Sequence, residues 1–167
     1  MEKSLFLSLG SNIEPRAFYL KEAVRLLNKN FNLMKISSLY ETEAMDYKNQ
    51  TDFYNICLHY LTDIEDPHQI LYYTQFVEKK MGRLKNIKIE KGPRIIDIDI
   101  LFFEDIAFVD HELVIPHPSM FERNFVLKPL LEILPEKSDY LSKYNLLNYI
   151  SRNDSQRVKK IGDFSLE

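Results

Sequence analysis

The chain has no tryptophan, a single cysteine and four glycines. One cysteine rules out an internal disulfide, and Cys57 lies inside the apolar run FYNICLHYL, where it reads as a small buried thiol suited to a reducing cytoplasm. The glycines fall in neither a GxxxxGK[ST] nor a GxGxxG pattern, which excludes a glycine-rich turn cradling phosphate at a helix N-terminus. HExxH, CxxC and GxSxG are also missing, which removes the commonest zinc, redox and serine-hydrolase centres. Long hydrophobic runs are lacking too: LFLSL after Lys3 is shorter than the apolar region of a signal peptide and far shorter than a membrane span, so no membrane partner is expected. A net charge of −3 lacks the basic excess that drives binding to nucleic acid, so no nucleic-acid partner is expected either.

What is present describes a folded enzyme-sized domain. At 167 residues, 45% hydrophobic and 28% charged, the chain can bury a core of its own and reads as one domain over 1–167, acting as a monomer. SLFLSLG (4–10) is a strand closing on a glycine. From Pro15 to about Asn28, Leu20, Ala23, Val24 and Leu27 recur at helical spacing, opposite Lys21, Glu22 and Arg25. NLMKISSLYET (32–42) and FYNICLHYLT (53–62) read as strands joined by a polar loop. Asp66-Pro67 caps a second helix, whose face Ile70, Leu71, Thr74, Val77 and Met81 ends at Gly82. RIIDIDILFF (94–103) is the fourth main strand; IAFV and LVI are shorter candidates, and Ser119 caps a last helix to about Glu132. Strand, helix, strand, strand, helix, strand predicts an α+β fold: a ferredoxin-like βαββαβ core with a mostly antiparallel sheet and appended C-terminal strands and helix.

The fourth strand carries the chemistry. Alternation puts Asp97 and Asp99 on one face with Ile95, Leu101 and Phe103, and Ile96, Ile98, Ile100 and Phe102 on the other. Alone, a DxD is most simply a pair of solvated aspartates. Two carboxylates ~6–7 Å apart in such apolar company, however, repel one another and lose hydration unless a cation lies between them. Hard oxygen ligands without cysteine or clustered histidine point to Mg²⁺ shared with phosphates. Just upstream, residues 78–94 hold seven Lys or Arg against two Glu, a local +5, so the remainder carries −8. A solvated loop would account for that run alone, but with Gly82 at one end and Gly92-Pro93 at the other it is also placed to close over a polyphosphate. In IPHPS, Pro118 biases His117 toward an extended backbone; in TDFYNI, Phe53, Asn55 and Cys57 share a face, an aromatic beside a carboxamide that suits a flat heterocycle. These features alone leave room for another DxD metal enzyme, nuclease or glycosyl-transferring, or for a non-catalytic ferredoxin-like module.

Five separated segments decide among these. SLGSN, SSLYET with Phe53 and Asn55 downstream, QFVEKKMGR, GPRIIDIDILFF and PHPSMFERNFVLKPL, in order from Leu7 to about Pro135, resemble the 6-hydroxymethyl-7,8-dihydropterin pyrophosphokinases of folate synthesis. The resemblance implies transfer of pyrophosphate from ATP to the hydroxymethyl group of 6-hydroxymethyl-7,8-dihydropterin, releasing AMP. It further implies that Asp97 and Asp99 hold two Mg²⁺, Asp97 also lying against the pterin. Gln75, Glu78, Arg83, Lys85, Arg94, Ile100, His117 and Arg123 fall where the family contacts ATP, with Arg83, Arg94 and His117 near the transferring group. Thr42, Ala44, Met45, Phe53, Asn55 and Phe125 fall where it holds the pterin, the two phenylalanines stacking on the ring. This sequence departs from the family at Lys85, where arginine is usual, at Glu90-Lys91, where a basic residue and tryptophan are, at Glu112, where a basic residue can occur, and at Pro118, where an aromatic is common.

Overall fold

The computed structural model describes residues 1–43, 51–82 and 95–167. Strand β1 (Lys3–Ser11) leads into helix α1 (Arg16–Leu27), followed by β2 (Asn32–Ile36), β3 (Leu39–Thr42), β4 (Phe53–Thr62), α2 (Pro67–Lys80) and β5 (Asp97–Phe103). A two-stranded hairpin, β6 (Phe108–Val109) with β7 (Val114–Ile115), precedes a 3₁₀ turn (Pro118–Glu122) and α3 (Asn124–Ile133). The chain then adds α4 (Tyr140–Lys143), α5 (Leu146–Arg152) and β8 (Val158–Gly162). The main sheet runs β5-β1-β4-β3-β8, with β2 also on β4, and every ladder is antiparallel. The expected βαββαβ core is therefore present, its first and third strands at the centre, and the C-terminal addition extends the sheet through β8.

Alternation along β1 and β4 builds two cores. Leu5, Leu7, Leu9, Ile56, Leu58 and Tyr60 face α1 and α2, which return Leu20, Ala23, Val24, Leu27, Ile70 and Val77. Each Leu, Ile or Val among these, removed from water, contributes ~1.5–3 kcal/mol. Phe6, Cys57 and Leu101 face the other way, onto Met120, Val126, Leu127, Leu130, Tyr140 and Leu146. Helices thus lie on both sides of the sheet, which is why β1 is buried along most of its length.

Four expectations shift in detail. The 32–42 strand is two strands, broken at Ser37, whose hydroxyl accepts the Cys57 N–H. In α2, Asp66 caps the helix by accepting the His68 N–H at 2.9 Å, but Glu78 rather than Met81 completes the buried set, because the helix ends at Lys80 and Gly82 takes φ +96. On β5 the register slips where Phe6 faces Phe102 and Leu7 faces Ile100, leaving Leu101 as the extra residue. That bulge sends Phe102 to the α3-side core and Phe103 to the α1/α2-side core, the reverse of simple alternation. Lastly, the helix expected from Ser119 is interrupted at Arg123 (φ −130), and the cap is the His117 ring, whose Nδ1 accepts the Ser119 N–H.

Candidate active site

The antiparallel register lines up residues from remote segments on the α3 side of the sheet. Gly10 lies opposite Asp97 on one neighbour and Asn55 on the other; Ser8 lies opposite Asp99 and Cys57. Thr42 pairs with Phe53 one step further along β3. One end of this face is filled by Phe6, Leu101 and α3, while the other carries only small and polar residues and Phe53.

Asn55 is 3% exposed, and its amide donates to the Thr42 hydroxyl at 3.1 Å. This bond fixes the flip of the carboxamide and so which edge can read a heterocycle. Gly10 makes the space: a Cβ there would fall 3.0 Å from Asn55 Oδ1 and 3.5 Å from the Phe53 ring. Gly10 and Ser8 lie in the SLGSN segment but are not among the site residues named from sequence; the strand register shows what they face. Phe125, at the start of α3, is half-buried, with the Arg123 guanidinium 5.7 Å from its ring centre. The Cys57 thiol donates to the Val126 carbonyl, and burial drives its pKa upward, so it is an inert core group.

Beside this pocket, a cleft of about 350 Å³ opens along the outer edge of β5, between α2 and the β6–β7 hairpin. Gln75 and Glu78 border it from α2, Asp97 and Asp99 from β5, and His117 and Pro118 from the segment after the hairpin. Asp99 sits between two groups able to carry positive charge: His117 Nε2 is 3.7 Å from Oδ1 and Arg123 Nη1 is 3.9 Å from Oδ2. Because His117 Nδ1 accepts from the Ser119 N–H, the neutral ring carries its proton on Nε2, directed at Asp99 and the cleft. The His117 N–H is bound to Leu101 O at 3.1 Å, anchoring the residue to the strand edge.

Two nucleotide contacts expected from the sequence have a structural side. Glu78 is 8% exposed and its Oε2 accepts the Ile98 N–H at 3.0 Å, so this carboxylate holds the edge of β5 as well as lining the cleft. The Ile100 side chain is in the α1/α2-side core, which leaves its backbone as the part that borders the cleft. Gln75, Glu78, Asp97, Asp99 and His117 line the cleft, with Arg123 reaching Asp99; Thr42, Phe53 and Asn55 pair on the sheet face beside it, and Phe125 packs against the α3-side core. Ala44, Met45, Arg83, Lys85 and Arg94 lie outside the described residues.

The residues fit a divalent cation only when substrate helps to hold it. Asp97 and Asp99 offer hard oxygen donors on one side of one strand, and among the described residues no three His, Cys, Asp or Glu side chains are grouped so as to enclose a metal. Mg²⁺, which keeps waters and takes phosphate oxygens, matches a two-carboxylate platform better than zinc or calcium does.

A model of the family described as 7,8-dihydro-6-hydroxymethylpterin-pyrophosphokinase (HPPK) matches residues 6–135. The chain belongs to this family. A 2-amino-4-hydroxy-6-hydroxymethyldihydropteridine pyrophosphokinase of Bacillus subtilis is 39% identical over 135 residues, covering 80% of this chain and 79% of that protein. A folic acid synthesis protein of Pneumocystis carinii is 35% identical over 163 residues, 97% of this chain but 22% of that protein. In fold, the chain is similar to a wild-type Plasmodium falciparum HPPK-DHPS solved with pterin and p-hydroxybenzoate: TM-score 0.69, 19% identity, 93% of this chain and 43% of that one. The chain therefore spans under half the length of several of the relatives it matches, and most of the length of the Bacillus protein. Among the described residues no helix is long and apolar enough to cross a membrane.

Proposed function

We propose that this chain transfers the terminal pyrophosphoryl group of ATP to the hydroxymethyl oxygen of 6-hydroxymethyl-7,8-dihydropterin, as one domain over residues 1–167 acting as a cytoplasmic monomer. The observation that carries the proposal is the register that sets Asp97 beside Gly10 and Gly10 beside Asn55, joining a carboxylate-lined cleft to a pocket for a flat ring on one sheet face.

The pterin lies in the space over Gly10, its ring between Phe53 and Phe125 and its amide edge on Asn55 and Thr42; Ala44 and Met45, outside the described residues, are proposed as further pterin contacts. ATP occupies the β5-edge cleft, with its triphosphate running toward Asp97 and Asp99. Two Mg²⁺ held by these carboxylates would offset triphosphate charge and lower the pKa of the attacking hydroxyl. The hydroxymethyl oxygen forms a bond to the β-phosphorus as the bond from that phosphorus to the α-phosphate oxygen breaks. The hydroxyl proton passes to solvent, and AMP departs with the bonding electron pair. His117, through Nε2–H, and Arg123 donate to oxygens that gain charge, with Arg83, Lys85 and Arg94 adding positive charge from the basic segment. Gln75 and Glu78 border the nucleotide, Glu78 also holding the strand edge. No side chain forms a covalent bond to substrate, so the rate comes from alignment and electrostatics. Incubating the chain with ATP, Mg²⁺ and the dihydropterin should release AMP in equal amount to pterin diphosphate; ADP or orthophosphate as the main product would rule the proposal out.

A further inference from the structure

The wall of the nucleotide cleft opposite α2 is the β6–β7 hairpin, two residues per strand and two ladder pairs long. A ribbon of that size is marginal by itself. Leu113, in the turn, and Ile115, in β7, are buried in the α1/α2-side core, while Val109 is 78% exposed. The turn is further closed and docked by polar contacts. Asp110 Oδ1 accepts the N–H groups of Glu112 and Leu113 at 2.8 and 2.9 Å, shaping the turn. Its other oxygen meets His68 Nε2 at 2.7 Å, near the N-terminus of α2. The His68 ring also packs edge-on against Phe108, centroids 5.3 Å apart, and Tyr72 one turn further on donates to Glu112 at 3.3 Å. The helix that supplies Gln75 and Glu78 to one wall is thus fastened to the turn that precedes Leu113 and Val114 on the other.

We infer that the His68–Asp110 contact is a latch that sets the width of the nucleotide cleft, making His68 a positioning residue for ATP that touches no substrate. This rests on the reading of the β5-edge cleft as the nucleotide site. A latch confined to one wall should affect the two substrates unequally, since the pterin pocket over Gly10 is built from β1, β3, β4 and α3 and shares no residue with the hairpin.

The test compares wild type, His68→Ala and His68→Gln, the last able to present an amide N–H to Asp110 where the ring nitrogen stood. Binding of Mg²⁺ with α,β-methylene-ATP, and separately of 6-hydroxymethylpterin, is measured by calorimetry, and folding by thermal melting. Because displacement by a fraction of an ångström is costly in a preorganised site, His68→Ala should weaken the nucleotide analogue about tenfold with pterin affinity within about twofold, and His68→Gln should recover most of the loss. Equal weakening of both ligands, unchanged nucleotide affinity in a folded His68→Ala protein, or no recovery in His68→Gln would overturn the latch. Wild type that binds neither ligand would overturn the functional reading along with it.

Discussion

Gly10 shows how a residue without a side chain can define a site. It sits at ordinary backbone angles between two strands, and what matters is the volume a Cβ would take from Asn55 and Phe53. Gly10→Ala should therefore leave the melting temperature nearly unchanged yet weaken pterin binding about tenfold, because the added methyl takes the space beside Asn55 and Phe53 where the ring is proposed to lie. Unaltered pterin affinity in that variant would show that the ring lies elsewhere. Asp99 is the other decisive residue. The sequence suggests a carboxylate strained mainly by its neighbour Asp97, but the fold places it within 4 Å of His117 and Arg123. Removing it would therefore take the carboxylate from beside both His117 and Arg123 as well as removing a proposed metal donor.

At the scale of elements, α3 is held to the sheet by more than its apolar face. Glu132 accepts the Ser38 N–H at 2.7 Å and the Tyr40 hydroxyl, with Lys160 of β8 3.6 Å away. Desolvation pushes the Glu132 carboxyl up, but the Tyr40 and Ser38 hydrogen bonds and Lys160 outweigh it and hold it below the usual glutamate range. A folded value below the unfolded one means stability that is complete above the ordinary glutamate range and lost as pH falls through the lowered value. Glu132→Gln should cost about 1 kcal/mol at neutral pH and should flatten the acid limb of the stability curve, measured by denaturant melts from pH 7 to 3. An acid limb unchanged from wild type would show that this carboxylate carries none of it. The elements themselves were legible wherever one period ran undisturbed: the alternation of β1 and β4 and the Leu20–Leu27 stripe of α1. Details set by a partner were not. The Leu101 bulge depends on pairing with β1, the break at Arg123 on docking of the 3₁₀ turn, and α4, α5 and β8 are short segments whose patterns are too brief to stand out. The site divides in the same way. Asp97 and Asp99 announce themselves because carboxylates are costly in an apolar strand, whereas Ser8 and Gly10, flagged only as part of SLGSN, gain a role from register, and His68 with Asp110 only from the packing of a hairpin on a helix 42 positions away.

For the molecule as a whole, the strand order β5-β1-β4-β3 turns sequence-distant segments into one surface. Strand β5 brings the acidic pair, β1 the open floor and β4 the amide reader, while α3 and the hairpin wall off either side. The chain's net charge is negative, so attraction for a polyanion must be generated locally by the residues at the cleft and by whatever cation the two aspartates hold. Affinity for α,β-methylene-ATP, titrated with and without Mg²⁺ in wild type, Asp97→Asn and Asp99→Asn, tests this most directly. The account predicts that Mg²⁺ strengthens nucleotide binding at least about tenfold in wild type and that either substitution abolishes most of the gain. An equal gain from Mg²⁺ in all three proteins would contradict it.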